Sequence, residues 1–309
     1  MLEYEKAIKT FNFAWKPEYG TDRKRCLTER EKFPKTGEEK SREARLVKIL
    51  KRCARYCRQL EQAGIYFFCS EEIVQKGDFS RMKLANIMAT PSETRTIIYN
   101  GRRRTVTPKK VKRTYLYEYQ LIKEKPGDEA RERRIPLKKD GKERRRENAL
   151  LETAYYKHEK VLFGPVGLLN SYWQRFYDYK IVADEMIHGE KTVVIEAIPA
   201  LNRGHNTLFG KIWVKDGDFS IVKIEWNPKS VQYIQSINMI AALYKETPSI
   251  VFVSEFNKER NGIRFPTRFY IEEAYVNEKG EKFVRLHTDV TYKDYRFFNV
   301  QVGEITYEK

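Results

Sequence analysis

Residues 208–226 read LFGKIWVKDGDFSIVKIEW, and this stretch decides the fold. Phe209, Lys211 and Trp213 alternate with Leu208, Ile212 and Val214, and Val222, Ile224 and Trp226 follow on a second run. The two runs flank Lys215-Asp216-Gly217-Asp218, an acidic turn with a glycine. Alternation of period two on both sides of such a turn is the pattern of an antiparallel hairpin. Apolar side chains on both faces mean that each side of this sheet needs cover.

The same pattern repeats outward. Runs 178–187 and 191–198 meet at His188-Gly189, and runs 250–258 and 263–275 meet at Asn261-Gly262, a favoured type I′ pair. Runs 263–275 and 281–293 meet at residues 277–280. Within 263–275, Ile263, Phe265, Thr267, Phe269 and Ile271 share one face, with Arg264, Arg268 and Glu272 opposite. Pro266 lacks a backbone N–H and argues for an edge or a bulge there. A short helix is expected over about 229–245, and no crossover helices separate the strands. The sheet is therefore antiparallel.

Toward the N-terminus the signals change. Residues 1–42 are charged and weakly patterned, and read as a poorly ordered extension ahead of a single domain at 43–309. Leu46, Ile49, Leu50, Cys53, Cys57 and Leu60 recur at spacings of three and four, so an amphipathic helix follows, capped by Ser41 and closed by Gly64. From Ile65 the period is two, with Ile65, Phe67, Cys69 and Ile73 in phase. Strands near 95–100 and 104–107 are weakly marked. Tyr115, Tyr117, Tyr119 and Leu121 stripe a long strand, and 114–124, 130–137 and 143–147 form a meander. Residues 147–176 interrupt it as two helical pieces hinged at Gly164-Pro165, with Leu168, Leu169, Tyr172, Trp173 and Phe176 on one face of the second.

The 309 residues can bury a substantial core, and 41% hydrophobic with 13% aromatic content excludes a disordered chain. The net charge is +17 and concentrated: Arg102, Arg103, Arg104, Lys109, Lys110, Lys112 and Arg113 occupy a stretch without an acid. Such a patch attracts phosphate-bearing partners, although a solvated basic surface has the same composition. No apolar run approaches the roughly eighteen residues of a membrane span. The first twenty residues carry no apolar segment of the secretory kind, so the chain is either cytoplasmic or read here without its leader.

Catalytic signatures are missing. The histidines, His158, His188, His205 and His287, fall in different elements, and no phosphate-binding, dinucleotide, serine-hydrolase or metalloprotease motif occurs. No catalytic residue, metal ligand or cofactor is expected. Cys26, Cys53, Cys57 and Cys69 lack paired CxxC spacing, which argues against zinc. In an oxidising compartment a bridge from Cys57 to Cys69 is expected to staple the helix to the first strand. In a reducing one these are small buried hydrophobes. What remains is shape: one face of a large meander can pack on helices while the other curls around an apolar cavity. Trp213, Trp226, Phe252 and Phe269 are expected to line it, with Leu169 and Trp173 contributed by the helical interruption. The alternative is that these side chains simply fill a core.

Residues 208–226, GIRFPTRFYIEEAYV (262–276) and VRLHTDVTYKDYRFF (284–298) together resemble the outer-membrane lipoprotein-sorting proteins, the LolA/LolB-like group. The resemblance covers about 45–300 and implies an unclosed β-barrel with helices as a lid. It also implies a non-enzymatic protein in the periplasm or at the periplasmic face of the outer membrane, binding a lipid or lipoprotein acyl chain beside an anionic membrane surface. Two other readings compete. One is a nucleic-acid-binding protein that uses the 102–113 patch with Tyr115, Tyr117 and Tyr119 as a stacking platform, although nucleic acid is the less favoured partner. The other is a ligand-free scaffold.

Overall fold

The computed structural model describes residues 37–63, 67–81, 95–99, 102–106, 109–122, 131–144, 151, 156, 158, 161–200, 208–231, 234–301 and 304–307. Helix α1, Gly37–Ala63, opens the described chain. Its strands are β1 (Phe67–Asp78), β2 (Arg95–Tyr99), β3 (Arg102–Val106), β4 (Lys110–Ile122), β5 (Arg131–Lys139) and β6 (Lys142–Glu143). Two short helices, α2 (Gly164–Leu169) and α3 (Ser171–Gln174), precede β7 (Tyr177–Ile187), β8 (Glu190–Pro199), β9 (Gly210–Lys215) and β10 (Ile221–Trp226). Helix α4 (Ile234–Tyr244) leads to β11 (Thr247–Glu255), β12 (Lys258–Arg260), β13 (Ile263–Phe265), β14 (Arg268–Val276), β15 (Lys282–Gln301) and β16 (Glu304–Tyr307).

Eleven strands form one unclosed sheet in the order β6-β5-β4-β1-β15-β14-β11-β10-β9-β8-β7, with β16 paired to β15. Every pairing is antiparallel. The fold is mainly β, a large antiparallel sheet with an N-terminal amphipathic helix, as the alternation demands. β1 joins the two halves of the chain: it pairs with β4 on one side and with β15, over 200 residues away, on the other. In β15, Asp294 adopts φ 55° at a bulge opposite β1. Beyond it Tyr295 and Phe297 meet Phe67 and Phe265, with ring centroids between 5.0 and 6.3 Å apart.

One face of the sheet, the inner one, carries the main core. Helix α1 lays Ile49, Cys53, Tyr56, Cys57 and Leu60 onto it, while Lys48, Lys51, Arg52, Arg55 and Arg58 point to water. Burial of each large apolar side chain is worth roughly 1.5–3 kcal/mol, and this, more than helix propensity, holds α1 in place. The helix begins at Gly37, so Ser41 lies inside it and is not its cap; Gly64 lies outside the described residues.

Several local expectations are corrected. The run expected to be one strand over 263–275 is split by Pro266 into β13 and β14. The Asn261-Gly262 turn closes the separate β12–β13 ribbon, while β14 pairs with β11 and β15. Arg264, expected on the outward face, is buried and forks onto both Glu190 oxygens at 2.7 and 2.8 Å. Pro165 stands in the first turn of α2, where no N–H is needed, and so starts a helix instead of hinging one. The second helical piece breaks at Asn170, whose side chain caps α3 by accepting from Tyr172 N. Leu168 and Leu169 are consequently buried, while Tyr172, Trp173 and Phe176 form their own ring cluster at the margin. Of the first expected piece, Leu151, Tyr156 and His158 are described and not helical, while Val161–Phe163 form a single 3-10 turn leading into α2.

At Gly210 the β10 backbone leaves no room for a side chain on β9. A Cβ there would stand 2.1 Å from Glu225 O and 2.9 Å from Trp226 Cα. Gly210→Ala should therefore lower stability by roughly 3 kcal/mol or more, because backbone cannot step aside as a side chain can. Gly37→Ala, with nothing within 4 Å, should cost nothing. Urea unfolding midpoints of the two variants test this, and equal midpoints would contradict the close approach.

Candidate functional site

The inner face divides into two regions of opposite chemistry. Across β8–β11 it is apolar: Ile195, Ala197, Ile212, Val214, Ile224, Trp226 and Phe252 are all buried. The layer α1–α3 lies over this region. Gly164 rests on the Trp226 indole, where a Cβ would stand 3.1 Å from the ring. The Trp226 Nε1–H donates to Ser254 Oγ at 3.0 Å, supplying the acceptor a buried indole needs. Phe252 sits between Trp226 and Phe269, its centroid 5.7 and 5.4 Å from theirs.

The helical layer is bonded within itself. Gln174 Nε2 donates to Leu50 O at 2.8 Å, Asn170 Nδ2 to Glu61 at 3.2 Å, and Cys57 Sγ to Pro165 O at 3.5 Å. Its links to the strands include the Tyr56 hydroxyl, accepting from Arg264 N at 3.1 Å, and the Tyr179 hydroxyl, donating to Leu168 O. An exposed Arg45–Asp184 pair at 2.6 Å adds a third.

Across β1, β4, β5, β14 and β15 the same face sets buried ion pairs among its apolar and aromatic side chains. Arg134 donates to both Glu71 oxygens at 2.6 and 3.0 Å and to Glu132 at 2.8 Å, with its guanidinium 4.9 Å from the Tyr119 ring centroid. His158 Nε2 lies 2.9 Å from Glu71 Oε1, and its ring lies 5.4 Å from that of Phe269. A second carboxylate, Glu273, accepts from the Tyr156 hydroxyl at 2.6 Å, from Arg285 at 2.8 Å and from the Tyr275 hydroxyl. Tyr156 and His158, two apart in the segment between β6 and α2, thus each cap a buried carboxylate–arginine pair. Burial opposes the charge on Glu71, but Arg134 and then His158 overcome it and hold the carboxyl at about 2. A carboxylate kept ionised and occupied by donors anchors the structure; it has no proton to give.

Of the residues expected to line a cavity, Trp226, Phe252, Phe269 and Leu169 come together on the inner side and are buried. Trp213 does not join them. It lies between inward-facing Ile212 and Val214, so the pleat sends it to the outer face. There it packs on Val194 and Val222, donates from Nε1 to Glu185 at 2.8 Å, and lies 4.3 Å beneath Lys223 Nζ. Trp173 stands half-buried at the margin of the helical layer.

Of the basic patch, Lys109, Lys110 and Lys112 are exposed, and Arg113 pairs with Asp140 at 3.2 Å. Arg102, Arg103 and Arg104 form β3, and their side chains lie outside the described residues. Tyr115, Tyr117 and Tyr119 are buried on the inner face, so the stacking platform a nucleic-acid reading requires is not accessible. The expected Cys57–Cys69 bridge is not formed. Both thiols are free and buried, Cys57 turned to Pro165 in the helical layer and Cys69 held in β1 beside Tyr295. Cys26 lies outside the described residues. Among the described residues no group of three or more His, Cys, Asp or Glu side chains is placed to hold a metal ion. No described helix is long and apolar enough to cross a membrane.

No protein-family model and no curated protein matches the chain. Among solved structures it is similar to a DUF1329 family protein from Desulfovibrio piger, at 10% identity and TM-score 0.38 over 82% of this chain and 94% of that one. It is also similar to a Vibrio parahaemolyticus domain provisionally assigned as an outer membrane lipoprotein-sorting protein domain (12%, 0.37, 82% and 93%). A LolA superfamily protein from Nitrosomonas europaea is a third (12%, 0.32, 82% and 94%). At this depth the likeness is one of outline, and the site stands on its own geometry.

The ionic region was missed in the sequence although its signal was there. Glu71 and Gln75 fall in phase with Phe67, Cys69 and Ile73, and Glu273 falls in phase with Phe269 and Ile271. A charge in phase with a buried stripe is either paired or ruinous. Glu71→Gln should cost roughly 3–5 kcal/mol, because Arg134 loses its principal partner while still buried. With its folded value below the ordinary 4.5, Glu71 contributes stability above that pH that is lost as the pH falls toward 2. Urea unfolding between pH 6 and about 3 should therefore fall less steeply in the variant. Parallel curves would remove Glu71 from the account.

Proposed function

We propose that the protein is a non-enzymatic cell-envelope protein that binds an apolar chain, a lipid or a lipoprotein acyl group, between its sheet and the α1–α3 layer. Its place is the periplasm or the periplasmic face of the outer membrane. The observation that carries this reading is the helical layer itself. It covers the largely apolar β8–β11 region, in which Ser254 accepts from the Trp226 indole, is hydrogen-bonded within itself, and adds apolar side chains to the same core as the sheet. An acyl chain could replace that layer against Trp226 and Phe252 without stranding many buried polar groups. The resemblance of residues 208–226 and 262–298 to the lipoprotein-sorting proteins supports the same reading.

A second reading, the ligand-free scaffold, is favoured by one observation. Trp226, Phe252, Phe269 and Leu169 are all buried by the chain's own side chains, at 3% exposure or less. The two readings differ in what an added lipid does. If a chain binds, fatty acid or lipopeptide should change tryptophan emission saturably and raise the melting temperature. It should also speed alkylation of Cys53 and Cys57, which α1 buries beneath the layer; burial now pushes the Cys53 thiol up to about 12 and raises the Cys57 thiol well above its ordinary range. Trp173→Ala should weaken binding with little loss of stability, because Trp173 stands at the margin of the layer. No saturable response and unchanged thiol protection would leave the scaffold.

A further inference from the structure

We infer that the end of the sheet closed by α4 is a docking face for an anionic lipid surface. It stands whether or not the interior takes an apolar chain. Helix α4 reads IQSINMIAALY and contains no charged residue. Ile237, Ile240 and Ala241 face the core, yet Met239 and Leu243, one turn apart, remain 47% and 59% exposed. An eleven-residue helix that is uncharged all round and still half in water is under-covered.

The tertiary structure gathers lysines and arginines at the same end. α4 runs into Lys245 and Glu246, and Arg81, just past β1, pairs with Glu246 at 2.7 Å while lying 4.4 Å over the Phe283 ring. Phe79 N donates to Lys109 O at 2.7 Å, so β4 begins where β1 ends. The β2–β3 ribbon falls between those two points in the sequence. The acids at this end are largely engaged: Asp78 by Lys110, Glu246 by Arg81 and Glu272 by Lys282. Glu281 is bonded to Asn277, and Glu278 is exposed.

Lys76 and Lys112, both exposed, stand directly opposite each other in the β1–β4 register, with His287 opposite Lys76 on the other side. Like charges facing across strands are destabilising unless an anion lies over them. An apolar helix face that shares its end of the sheet with such a cluster matches the composition of an anionic bilayer surface, which offers an acyl boundary and phosphates together. Met239 and Leu243 enter the boundary region, and Lys76, Lys109, Lys112 and Lys245 meet the headgroups.

Flotation of the full chain with vesicles of phosphatidylcholine, with and without phosphatidylglycerol, tests the assignment. Binding is expected only with phosphatidylglycerol present and should weaken steeply with salt. Met239→Ser with Leu243→Ser should reduce it at least about tenfold, and Lys109→Glu with Lys112→Glu should reduce both its strength and its salt dependence. All four residues are exposed, so the melting temperature should hold. Should the serine variant fail to fold, a polarity-sensitive dye on Leu243→Cys in a Cys26→Ser background replaces it, since the three described cysteines are buried. Its emission should shift to the blue on phosphatidylglycerol vesicles. Unchanged binding by the serine variant, an unshifted dye, or equal binding to both vesicle types overturns the assignment. So does preferential capture of a single-stranded oligonucleotide that the lysine variant loses. Docking without any lipid uptake would leave this inference standing while removing the carrier reading.

Discussion

Strand β15 takes β1 as a partner along its length, from Phe67 opposite Phe297 to Gly77 opposite Leu286. Without that pairing the sheet would be two separate meanders, each with an exposed edge. With it, β1 lies between strands from opposite ends of the chain, and both of its neighbours contribute to a common inner face. The arrangement is non-local, so folding must pay loop-closure entropy before the central ladder forms. The bulge at Asp294 follows from the same constraint, turning Tyr295 and Phe297 inward onto Phe67.

A sheet with apolar groups on its inner side must be covered, and the chain covers the two regions differently. Over β8–β11 the cover is helical and the contact apolar. Over β1, β4, β5, β14 and β15 the cover is the segment carrying Tyr156 and His158, and the contact is made by carboxylates locked to arginines. Buried ion pairs of this kind add little net stability compared with an apolar core, yet breaking one is expensive. Their consequence is specificity of placement: Tyr156 and His158 are each held to one carboxylate. The α1–α3 layer is tied to the strands by the Tyr56, Tyr179 and Arg45 bonds but, among the described residues, by no buried carboxylate of its own, which is why the proposed exchange of helix for acyl chain belongs to that region and not to the ionic one.

The two proposals also bear on one another through geometry. Helix α4 follows β10 and precedes β11, two strands of the apolar region, and its buried side chains belong to the same core as Trp226 and Phe252. A lipid surface docked at that end would lie against the strands whose inner side is free of charge.

Alternation in 178–187, 191–198, 208–226 and 281–293 determined the antiparallel sheet, and the spacing of Ile49, Cys53, Cys57 and Leu60 determined the covering face of α1. These are properties of local period, which a single chain displays. The break at Pro266 was half legible: proline announced an interruption, but not that β13 would leave the sheet to pair with β12. The face of Trp213 was legible in principle from its neighbours Ile212 and Val214, and was obscured because both faces of that hairpin are apolar. What only the tertiary structure decided is partnership. That Glu71 meets Arg134 and His158, that Cys57 and Cys69 turn to different neighbours, and that α4 shares an end of the sheet with Lys109 and Lys112 all depend on strands far apart in sequence. Side-chain period records which way a residue points; which residue waits there is set by the order of strands, and that order is fixed by the packing of the whole sheet.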